Sequence, residues 1–366
     1  MSKKKILYFF QIPPPKHGVS LINQRIIEND IINKSFESDL LKIDFSTKHS
    51  SLNKLSVQKL FKFFSLSLKL FIKLRSNNYD AIYFTLTPSG PGFLRDLFFI
   101  FIINLFKIKK ILHLHGIGIA HSVKRYAFAK HFYNFAFKNS VIIHLSKNLL
   151  NDEITSVFKD IKYKAFFLNN STDRPRKQIS KERINEILFL SNLFPSKGIH
   201  DVLEIFYKLS LRYPYLKMNI AGAESSKETT KKITYQIETY SLQDKVKIFG
   251  FANEELKNDL FTRSDLFLYP TRNDAFPLVL LEAISHGLPI VASDIGAINE
   301  IVLNEKTGFV LKHNNDDFEK RIIDLIEDQA KFKFYSNNAI SHYNKNFTSN
   351  IFDSKLSAIL KKELNI

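Results

Sequence analysis

The chain has 366 residues, of which 45% are hydrophobic, and it contains no cysteine. This length suits two domains of roughly 150 to 180 residues each. The lack of cysteine excludes disulfides, thiolate catalysis and cysteine-ligated metal sites. The longest apolar run, residues 97–106, is shorter than the ~20 residues of a membrane-spanning helix. The first residues lack a signal-peptide cleavage site, so we expect a cytoplasmic protein.

Positive charge is concentrated in the first half of the sequence. The whole chain has a formal net charge of +17, and residues 1–175 carry 27 Lys and Arg against 11 Asp and Glu, a difference of +16. No acidic residue lies between Asp96 and Asp152. We therefore expect an anionic partner for this half, such as lipid headgroups, nucleic acid or phosphorylated glycans. A compositional bias toward lysine is the alternative, but it does not explain why one half alone is basic.

Short apolar runs alternate with longer helical stretches along the chain, which predicts parallel sheets covered by helices on both faces. The predicted strands are residues 5–10, 81–86, 110–115, 140–146, 186–191, 216–222, 245–250, 266–270 and 289–293.

The polar stretch 171–186 is the predicted linker between the domains. It places a first domain at 1–172 and a second at 173–346, with a C-terminal helix at 347–366 that rejoins the first domain. Each domain is then a doubly wound α/β unit whose ligand lies outside the carboxyl ends of the strands. Two such units that face each other place the site in a cleft.

Residues 52–75 form a predicted amphipathic helix. One face carries four lysines, and the opposite face carries five apolar residues. The lysines are Lys54, Lys62, Lys69 and Lys73, and the apolar residues are Val57, Leu60, Phe64, Phe71 and Leu74. We expect the apolar face to pack on the sheet and the lysines to be solvated. Adsorption of the helix to anionic lipid is the alternative.

The segment DAFPLVLLEAISHGLPIVASDIGAINEIV, starting at Asp274, places Glu282 eight positions after that aspartate. It resembles the E-x7-E signature of retaining GT-B glycosyltransferases of family four. The segments PPPKHGVS (13–20), LHLHG (112–116) and LSNLFPSKGIHDVLE (190–204) resemble further loops of the same family, in the same order. The resemblance covers nearly the whole chain and implies two Rossmann-like domains that face a cleft. It also implies a nucleotide-sugar donor, UDP- or GDP-linked, and no metal or other cofactor.

The donor site implied by this resemblance lies around a helix that begins near Leu278. Backbone N–H groups of residues 276–279, which are Phe276, Pro277, Leu278 and Val279, would bind the diphosphate. Glu282 would accept hydrogen bonds from the ribose. Asp274 would face the transferred sugar in a position that is usually glutamate, and its alternative role is that of a helix N-cap.

The other implied site residues are a lysine, a histidine and a glycine. Lys197 resembles the lysine that neutralises the leaving diphosphate, but Asn192 replaces the arginine that usually precedes it by five positions. His115 resembles the histidine near the transferred sugar, and we expect His113 to point to the other face of the strand and to be structural. Gly18 would let the first loop approach the diphosphate.

These features predict a hexosyltransferase-type enzyme that acts on a glycan or lipid-linked acceptor in bacterial surface polysaccharide synthesis, such as capsule, O-antigen or lipopolysaccharide. The basic first domain would meet an anionic membrane surface, on the inner face of the plasma membrane. One alternative is a catalytically silent GT-B scaffold, which the departures at Asn192 and Asp274 suggest. The other is a basic protein that binds nucleic acid or anionic lipid, although no nucleic-acid motif is present.

Overall fold

The computed structural model describes residues 3–45, 57–173, 175 and 180–366, and these divide into two compact units. The first unit comprises residues 1–170 and 350–366, and the second comprises residues 171–349. The sequence placed the corresponding boundaries after residues 172 and 346. Within the predicted linker, residues 174 and 176–179 lie outside the described residues.

The first unit contains a six-stranded parallel sheet in the order β2-β1-β3-β4-β5-β6. Its strands are β1 (Lys4–Phe10), β2 (Phe36–Lys42), β3 (Ala81–Leu86), β4 (Lys109–Leu114), β5 (Ser140–His144) and β6 (Lys164–Phe167). Its helices are α1 (Gly18–Glu28), α2 (Asp30–Ser35), α3 (Val57–Ser76), α4 (Gly90–Asn104), α5 (Ile119–Arg125), α6 (Ala129–Phe137) and α7 (Lys147–Leu150). A π-helical turn, Asn151–Thr155, follows α7.

The second unit repeats this plan with a parallel sheet in the order β12-β11-β10-β7-β8-β9. Its strands are β7 (Glu186–Leu190), β8 (Lys217–Ala221), β9 (Val246–Ile248), β10 (Leu266–Tyr269), β11 (Ile290–Ser293) and β12 (Gly308–Leu311). Its helices are α8 (Ile199–Arg212), α9 (Lys227–Thr239), α10 (Glu254–Arg263), α11 (Leu278–Ser285), α12 (Ile298–Ile301), α13 (Asn315–Glu327) and α14 (Gln329–Asn346), and α15 (Ser349–Leu364) leads back into the first unit.

The predicted α/β architecture of parallel sheets is confirmed, and all nine predicted strands are present. The central strands are buried on both faces, as β1 shows with Leu7, Phe9 and Phe10 fully inaccessible. The three strands that the sequence did not predict, β2, β6 and β12, are all edge strands. An edge strand is partly exposed, and β6, which is only four residues long, has no buried residue at all.

The predicted packing of α3 is wrong. Of the apolar residues assigned to the sheet-facing side, only Leu74 is buried, whereas Leu60, Phe64 and Phe71 are 56%, 58% and 41% exposed. The buried face is formed instead by Leu66, Ser67, Leu70 and Leu74. The helix is apolar on two sides, and the sequence does not show which of them meets the sheet. Lys54, with the rest of residues 52–56, lies outside the described residues.

The C-terminal helix α15 is joined to the first sheet by a buried carboxylate. Glu363 is 1% exposed, and its two carboxylate oxygens each accept a hydrogen bond of 3.0 Å from Lys164 on β6. Lys109 on β4 lies 3.5 Å from the same group. One acidic side chain of α15 thus binds two strands of the first sheet.

We expect Glu363→Gln to lower the free energy of unfolding of the first unit by about 1–2 kcal/mol. This is less than the ~3–5 kcal/mol for a fully buried pair, because both lysines reach solvent once unpaired. Urea denaturation followed by hydrogen exchange of β4 and β6 measures the change. Lys355→Gln, an exposed site on the same helix, is the matched control. Equal stability of the two variants would contradict the prediction.

Candidate active site

The candidate site of the second unit lies where the chain order of its sheet reverses. The chain passes from β7 to β8 and β9 on one side, and β10 then pairs with the other side of β7. Loops that follow two such neighbouring strands diverge at their carboxyl ends and leave a space for ligands. Lys197 is on the loop after β7 and Asp274 is on the loop after β10, so the two predicted residues come from adjacent loops.

Lys197 ends a short 3₁₀ turn, Pro195–Lys197, and is followed by Gly198 in the left-handed region at φ +85°. A Cβ at position 198 would lie 2.2 Å from the carbonyl oxygen of Pro270, so only glycine allows this approach of the two loops. The Lys197 Nζ donates to the Asn273 carbonyl oxygen at 2.8 Å and to Asp274 Oδ2 at 2.5 Å. These two hydrogen bonds hold the Lys197 ammonium beside the Asp274 carboxylate.

Asp274 receives three hydrogen bonds and has no capping role. Its Oδ2 accepts from Lys197 and from the hydroxyl of Tyr269 at 2.7 Å, and its Oδ1 accepts from the N–H of Ala275 at 3.0 Å. The N-cap of α11 is Pro277, so the alternative role of Asp274 as an N-cap is wrong. Burial and the nearby Asp274 carboxylate raise the pKa of Tyr269 well above its usual value, which keeps the hydroxyl protonated as a donor.

The turn after β11 fixes the backbone of the Asp274 loop from another side. Gly296 has φ +60°, and a Cβ there would lie 2.3 Å from the Asp274 carbonyl oxygen and 2.6 Å from that of Ala275. The N–H of Ala297 donates to the Ala275 carbonyl oxygen at 2.8 Å. Loops from β7, β10 and β11 therefore meet around Asp274.

The helix α11 begins at Leu278, where the sequence placed it. Leu278 and Val279 occupy its first turn, and their N–H groups point toward the N-terminal end, as in any helix start. Phe276 is 4% exposed, and its ring packs 6.1 Å from that of Phe347. Pro277 has no backbone N–H, so the expectation that it donates to a diphosphate is wrong, and its fixed φ favours the helix start instead.

Glu282 lies on the second turn of α11, and its Oε1 accepts a hydrogen bond from Lys257 of α10. Burial raises the pKa of Glu282, and the ammonium of Lys257 opposes this shift. The lysine was not predicted from the sequence, because nothing in the polar helix α10 distinguishes it from a solvated side chain. A carboxylate with a basic partner on one oxygen is suited to binding a diol with the other.

Asn192 does not join the Lys197 contact through a hydrogen bond in the structure. Its side chain is exposed on the loop after β7, and its carbonyl oxygen accepts from the N–H of Phe194 at 2.7 Å. The arginine nearest in sequence to Asp274, Arg272, is engaged by both carboxylate oxygens of Asp201, at 2.5 and 2.9 Å. Among the residues that the structure describes, Lys197 is thus the cation that contacts Asp274.

Gly18 and His115, the two predicted residues of the first unit, lie beyond the carboxyl ends of β1 and β4. Gly18 is the first residue of α1, and His17 caps that helix by accepting from the N–H of Ser20 at 3.3 Å. Gly18 is exposed, and its φ is not in the left-handed region. The backbone of this loop is therefore accessible at the helix start.

His115 follows the last residue of β4, and the ring of His113 lies 3.9 Å from it, centroid to centroid. The prediction that the two rings point to opposite faces is wrong, because residues i and i+2 of a strand share a face. His113 is buried, and its Nδ1 forms a 2.7 Å hydrogen bond with the Tyr83 hydroxyl. A structural role for His113 fits this contact.

Burial keeps three histidines of this unit neutral. It lowers the pKa of His115 to about 3 and that of His144 to about 4, and it lowers the pKa of His113 well below its usual value. Within the part of the chain that the structure describes, the Nε2 atoms of all three are buried without a hydrogen-bond partner. Even so, among residues 3–45, 57–173, 175 and 180–366 no three His, Asp or Glu side chains are arranged to hold a metal ion.

The loop after His115 is held by Glu153, a residue that was not predicted from the sequence. Glu153 lies on the π-helical turn, is 9% exposed, and accepts three backbone hydrogen bonds at its Oε2. The donors are the N–H groups of Gly118 at 3.0 Å, Ile119 at 2.6 Å and Ala120 at 3.1 Å. The carboxylate thus satisfies the free amides at the start of α5 and fixes the segment that begins at His115.

Comparison with known proteins finds a family match in the second unit. The family glycosyl transferases group 1 matches residues 170–342. The match covers 173 of the 366 residues of the chain. An uncharacterized glycosyltransferase of Haemophilus influenzae is 26% identical over 159 residues, 43% of this chain and 44% of that protein. The chain spans between 31% and 56% of the length of the first curated relatives that it matches.

Similarity to solved structures extends over both units. Anabaena Alr3699/HepE in complex with UDP and glucose is similar with a TM-score of 0.70 and 19% identity, and covers 98% of this chain and 100% of its own. WaaG, a glycosyltransferase involved in lipopolysaccharide biosynthesis, gives a TM-score of 0.67 and 14% identity, with 97% and 99% covered. The fold is GT-B, as the sequence predicted.

We expect the protein to lose stability as the pH falls from about 6.5 toward 4. The unfolded histidines bind protons below pH ~6.5, whereas His115 and His144 in the folded state resist protonation down to pH values of about 3 and 4. Each then costs about 1.4 kcal/mol of unfolding free energy per pH unit. Urea denaturation between pH 7.5 and 4.5 tests this. His144→Gln should flatten the dependence, and an unchanged slope would contradict the assignment.

We expect Glu153→Gln to speed hydrogen exchange at residues 118–120 by at least tenfold. The neutral amide oxygen accepts more weakly than the carboxylate, and the three N–H groups compete for it. Exchange measured by NMR or mass spectrometry reports on this loop directly. Asp152→Asn, an exposed site on the same turn, is the control. Protection unaltered in Glu153→Gln would show that the carboxylate does not hold the loop.

Proposed function

We propose that this protein is a retaining glycosyltransferase that transfers a sugar from a UDP- or GDP-sugar donor to a glycan or lipid-linked acceptor. The observation that carries the proposal is the contact of Lys197 with Asp274 at the carboxyl ends of β7 and β10. The two residues lie in the part of the chain that matches glycosyl transferases group 1. Support for the donor class comes from the similar Anabaena protein, whose structure contains UDP and glucose.

Lys197 and the start of α11 are proposed to bind the donor diphosphate. The leaving nucleotide gains negative charge as the bond to the sugar breaks, and a fixed ammonium stabilises that charge without further reorganisation. Lys197 is held on two oxygens in the structure, so its position is set before the donor arrives. The N–H groups of Phe276, Leu278 and Val279 are proposed as diphosphate donors, with Asn192 at the edge of the site.

Glu282 and Asp274 are proposed to bind different parts of the donor. Glu282 would accept from the ribose hydroxyls, since Lys257 keeps its carboxylate oriented. Asp274 would face the transferred sugar and stabilise the positive charge that develops at the anomeric carbon. Aspartate is one methylene shorter than glutamate, and the three hydrogen bonds it accepts hold it in place. We propose departure and attack on the same face of the sugar, with no metal required.

The first unit is proposed to bind the acceptor, with His115 near the transferred sugar and Gly18 near the donor diphosphate. Residues 1–175 carry a charge excess of +16, which suits a phosphorylated or lipid-diphosphate acceptor. The similarity to WaaG supports a role in surface polysaccharide or lipopolysaccharide synthesis. We propose a cytoplasmic enzyme that works at the inner face of the plasma membrane.

The first test is a thermal-shift panel of UDP, GDP and their common sugar conjugates, with EDTA present. A ligand at 100 times its Kd raises the free energy of unfolding of the protein by about 2.7 kcal/mol.

We then expect Lys197→Met to slow donor turnover by about 10²–10³-fold, and Glu282→Gln to weaken binding of the same nucleotide by roughly tenfold. Lys232→Met, at a lysine that is 63% exposed and paired with Glu228, is the matched control.

The outcomes separate the proposal from its alternatives. Full activity in Asp274→Asn would remove any catalytic role for that charge. Nucleotide binding without donor hydrolysis or transfer would indicate a catalytically silent GT-B scaffold. If no nucleotide or nucleotide sugar raised the melting temperature, and the protein showed salt-dependent retention on DNA, a nucleic-acid-binding protein would be favoured instead.

A further inference from the structure

Helix α3 carries an exposed apolar stripe. At 100° per residue, six large side chains fall within an arc of about 120°. They are Leu60, Phe61, Phe64, Leu68, Phe71 and Ile72, and their exposed fractions lie between 41% and 75%. The helix packs on its own unit through a different arc, formed by Leu66, Leu70 and Leu74. The stripe is therefore not the core-facing side of the helix.

Helix α4 adds a second stripe beside the first. Leu94, Phe98 and Phe101, with Leu105 just after the helix, are 41% to 61% exposed and fall within about 60° of arc. The two helices meet through the rings of Phe63 and Phe98, 5.1 Å apart, and those of Phe71 and Phe106, 5.6 Å apart. We refer to these ten exposed residues of α3 and α4 as the α3–α4 face.

The α3–α4 face is larger than the apolar patches of ordinary monomers. Ten side chains of roughly 150–250 Å² each, about half exposed, leave on the order of 1,000 Å² of apolar surface in water. The largest patch on a typical soluble monomer is about 300–600 Å² and is often functional. Burial of this face against a partner would therefore be strongly favourable.

The charges around the face identify the partner. Helix α3 carries five Lys and Arg and no acidic residue. Lys62 and Lys69 lie on the arc next to the stripe. On α4 the acidic residue is Asp96, which is buried and paired with Arg95 at 2.7 Å. Lys73 of α3 pairs with Asp39 of β2 at 3.3 Å. The face thus combines apolar side chains with Lys62 and Lys69 at its edge, which matches the interface of an anionic bilayer.

A second copy of the chain fits this surface less well. A symmetric dimer would place the same patch on both subunits, and the lysines at its edge would come close to their own counterparts. Among the described residues, no helix is long and apolar enough to cross a bilayer. A membrane contact by this face would accordingly be one of peripheral adsorption.

We propose that the α3–α4 face inserts its apolar side chains into the acyl-chain boundary of an anionic phospholipid bilayer, with Lys62 and Lys69 at the level of the headgroups. The inference deepens the proposed function and rests on it in one respect, because a lipid-linked acceptor would be presented at this surface. It differs from simple attraction of a basic domain to anionic lipid. Insertion gives a component of binding that salt does not screen.

Vesicle co-sedimentation of the full chain tests the proposal. The vesicles are phosphatidylcholine alone, or phosphatidylcholine mixed with phosphatidylglycerol. We expect Phe61→Ser/Phe64→Ser to lower the partition coefficient on mixed vesicles by at least tenfold. Lys62→Gln/Lys69→Gln should weaken binding to mixed vesicles and leave weak binding to neutral vesicles unchanged. Leu211→Ser/Tyr235→Ser, at residues of the second unit that are 66% and 69% exposed, is the matched control and should bind as the wild type does.

The wild type should retain measurable binding in about 1 M NaCl, where the Debye length is about 3 Å, and the double phenylalanine variant should not. Complete loss of wild-type binding in that salt, or wild-type affinity in the phenylalanine variant, would overturn the proposal. So would a wild-type dimer that the same variant converts to monomers without any vesicle binding.

Nucleotide binding by the phenylalanine variant, measured in the same buffer without vesicles, separates the two proposals. If the wild type and the variant bind the same nucleotide but neither adsorbs to vesicles, the proposed insertion of the α3–α4 face is wrong and the proposed function stands. If the wild type adsorbs as expected and no nucleotide binds, the proposed glycosyl transfer is wrong and the surface proposal stands.

Discussion

The ion pair between Lys197 and Asp274 is the contact on which the candidate site depends. It links two loops that belong to adjacent strands, β7 and β10, and it exists because glycines at 198 and 296 let three stretches of backbone approach within van der Waals distance. Tyr269 completes the arrangement from the end of β10. The sheet of the second unit is packed on both faces, and this packing positions the loops that follow its strands. The polar site therefore depends on the apolar core.

Much of the fold could be predicted from the sequence, because the central strands of a parallel sheet are buried on both faces and read as continuous apolar runs. The edge strands β2, β6 and β12 could not, since β2 carries Glu37, Ser38 and Asp39 in succession and β6 and β12 are only four residues long. The buried side of helix α3 could not be predicted from the sequence either. The helix has two apolar sides, and only the tertiary structure decides that Leu66 and Leu70 are buried while Phe61 and Phe64 are not.

Candidate site residues could be predicted where they belong to a sequence motif. They could not be predicted where their role depends on a contact in the folded structure. Asp274, Glu282 and Lys197 are recognisable from their spacing and neighbours. Lys257, Tyr269 and Glu153 are not, because their importance comes from partners that are 5 to 35 positions away in sequence. The predicted orientation of His113 is wrong for another reason: residues i and i+2 of a strand share a face, so its ring lies beside that of His115.

The path of the chain through the two units has a consequence for its biosynthesis. The first sheet is complete by residue 167, but Glu363 on α15, which binds Lys164 and Lys109, is translated almost two hundred residues later. At about 5–20 residues per second, the ribosome needs on the order of 10–40 s to make the intervening unit. During that interval β6 and β4 lack their carboxylate partner. The nascent first unit is therefore an intermediate, and its contacts with Glu363 form only after α15 has been translated.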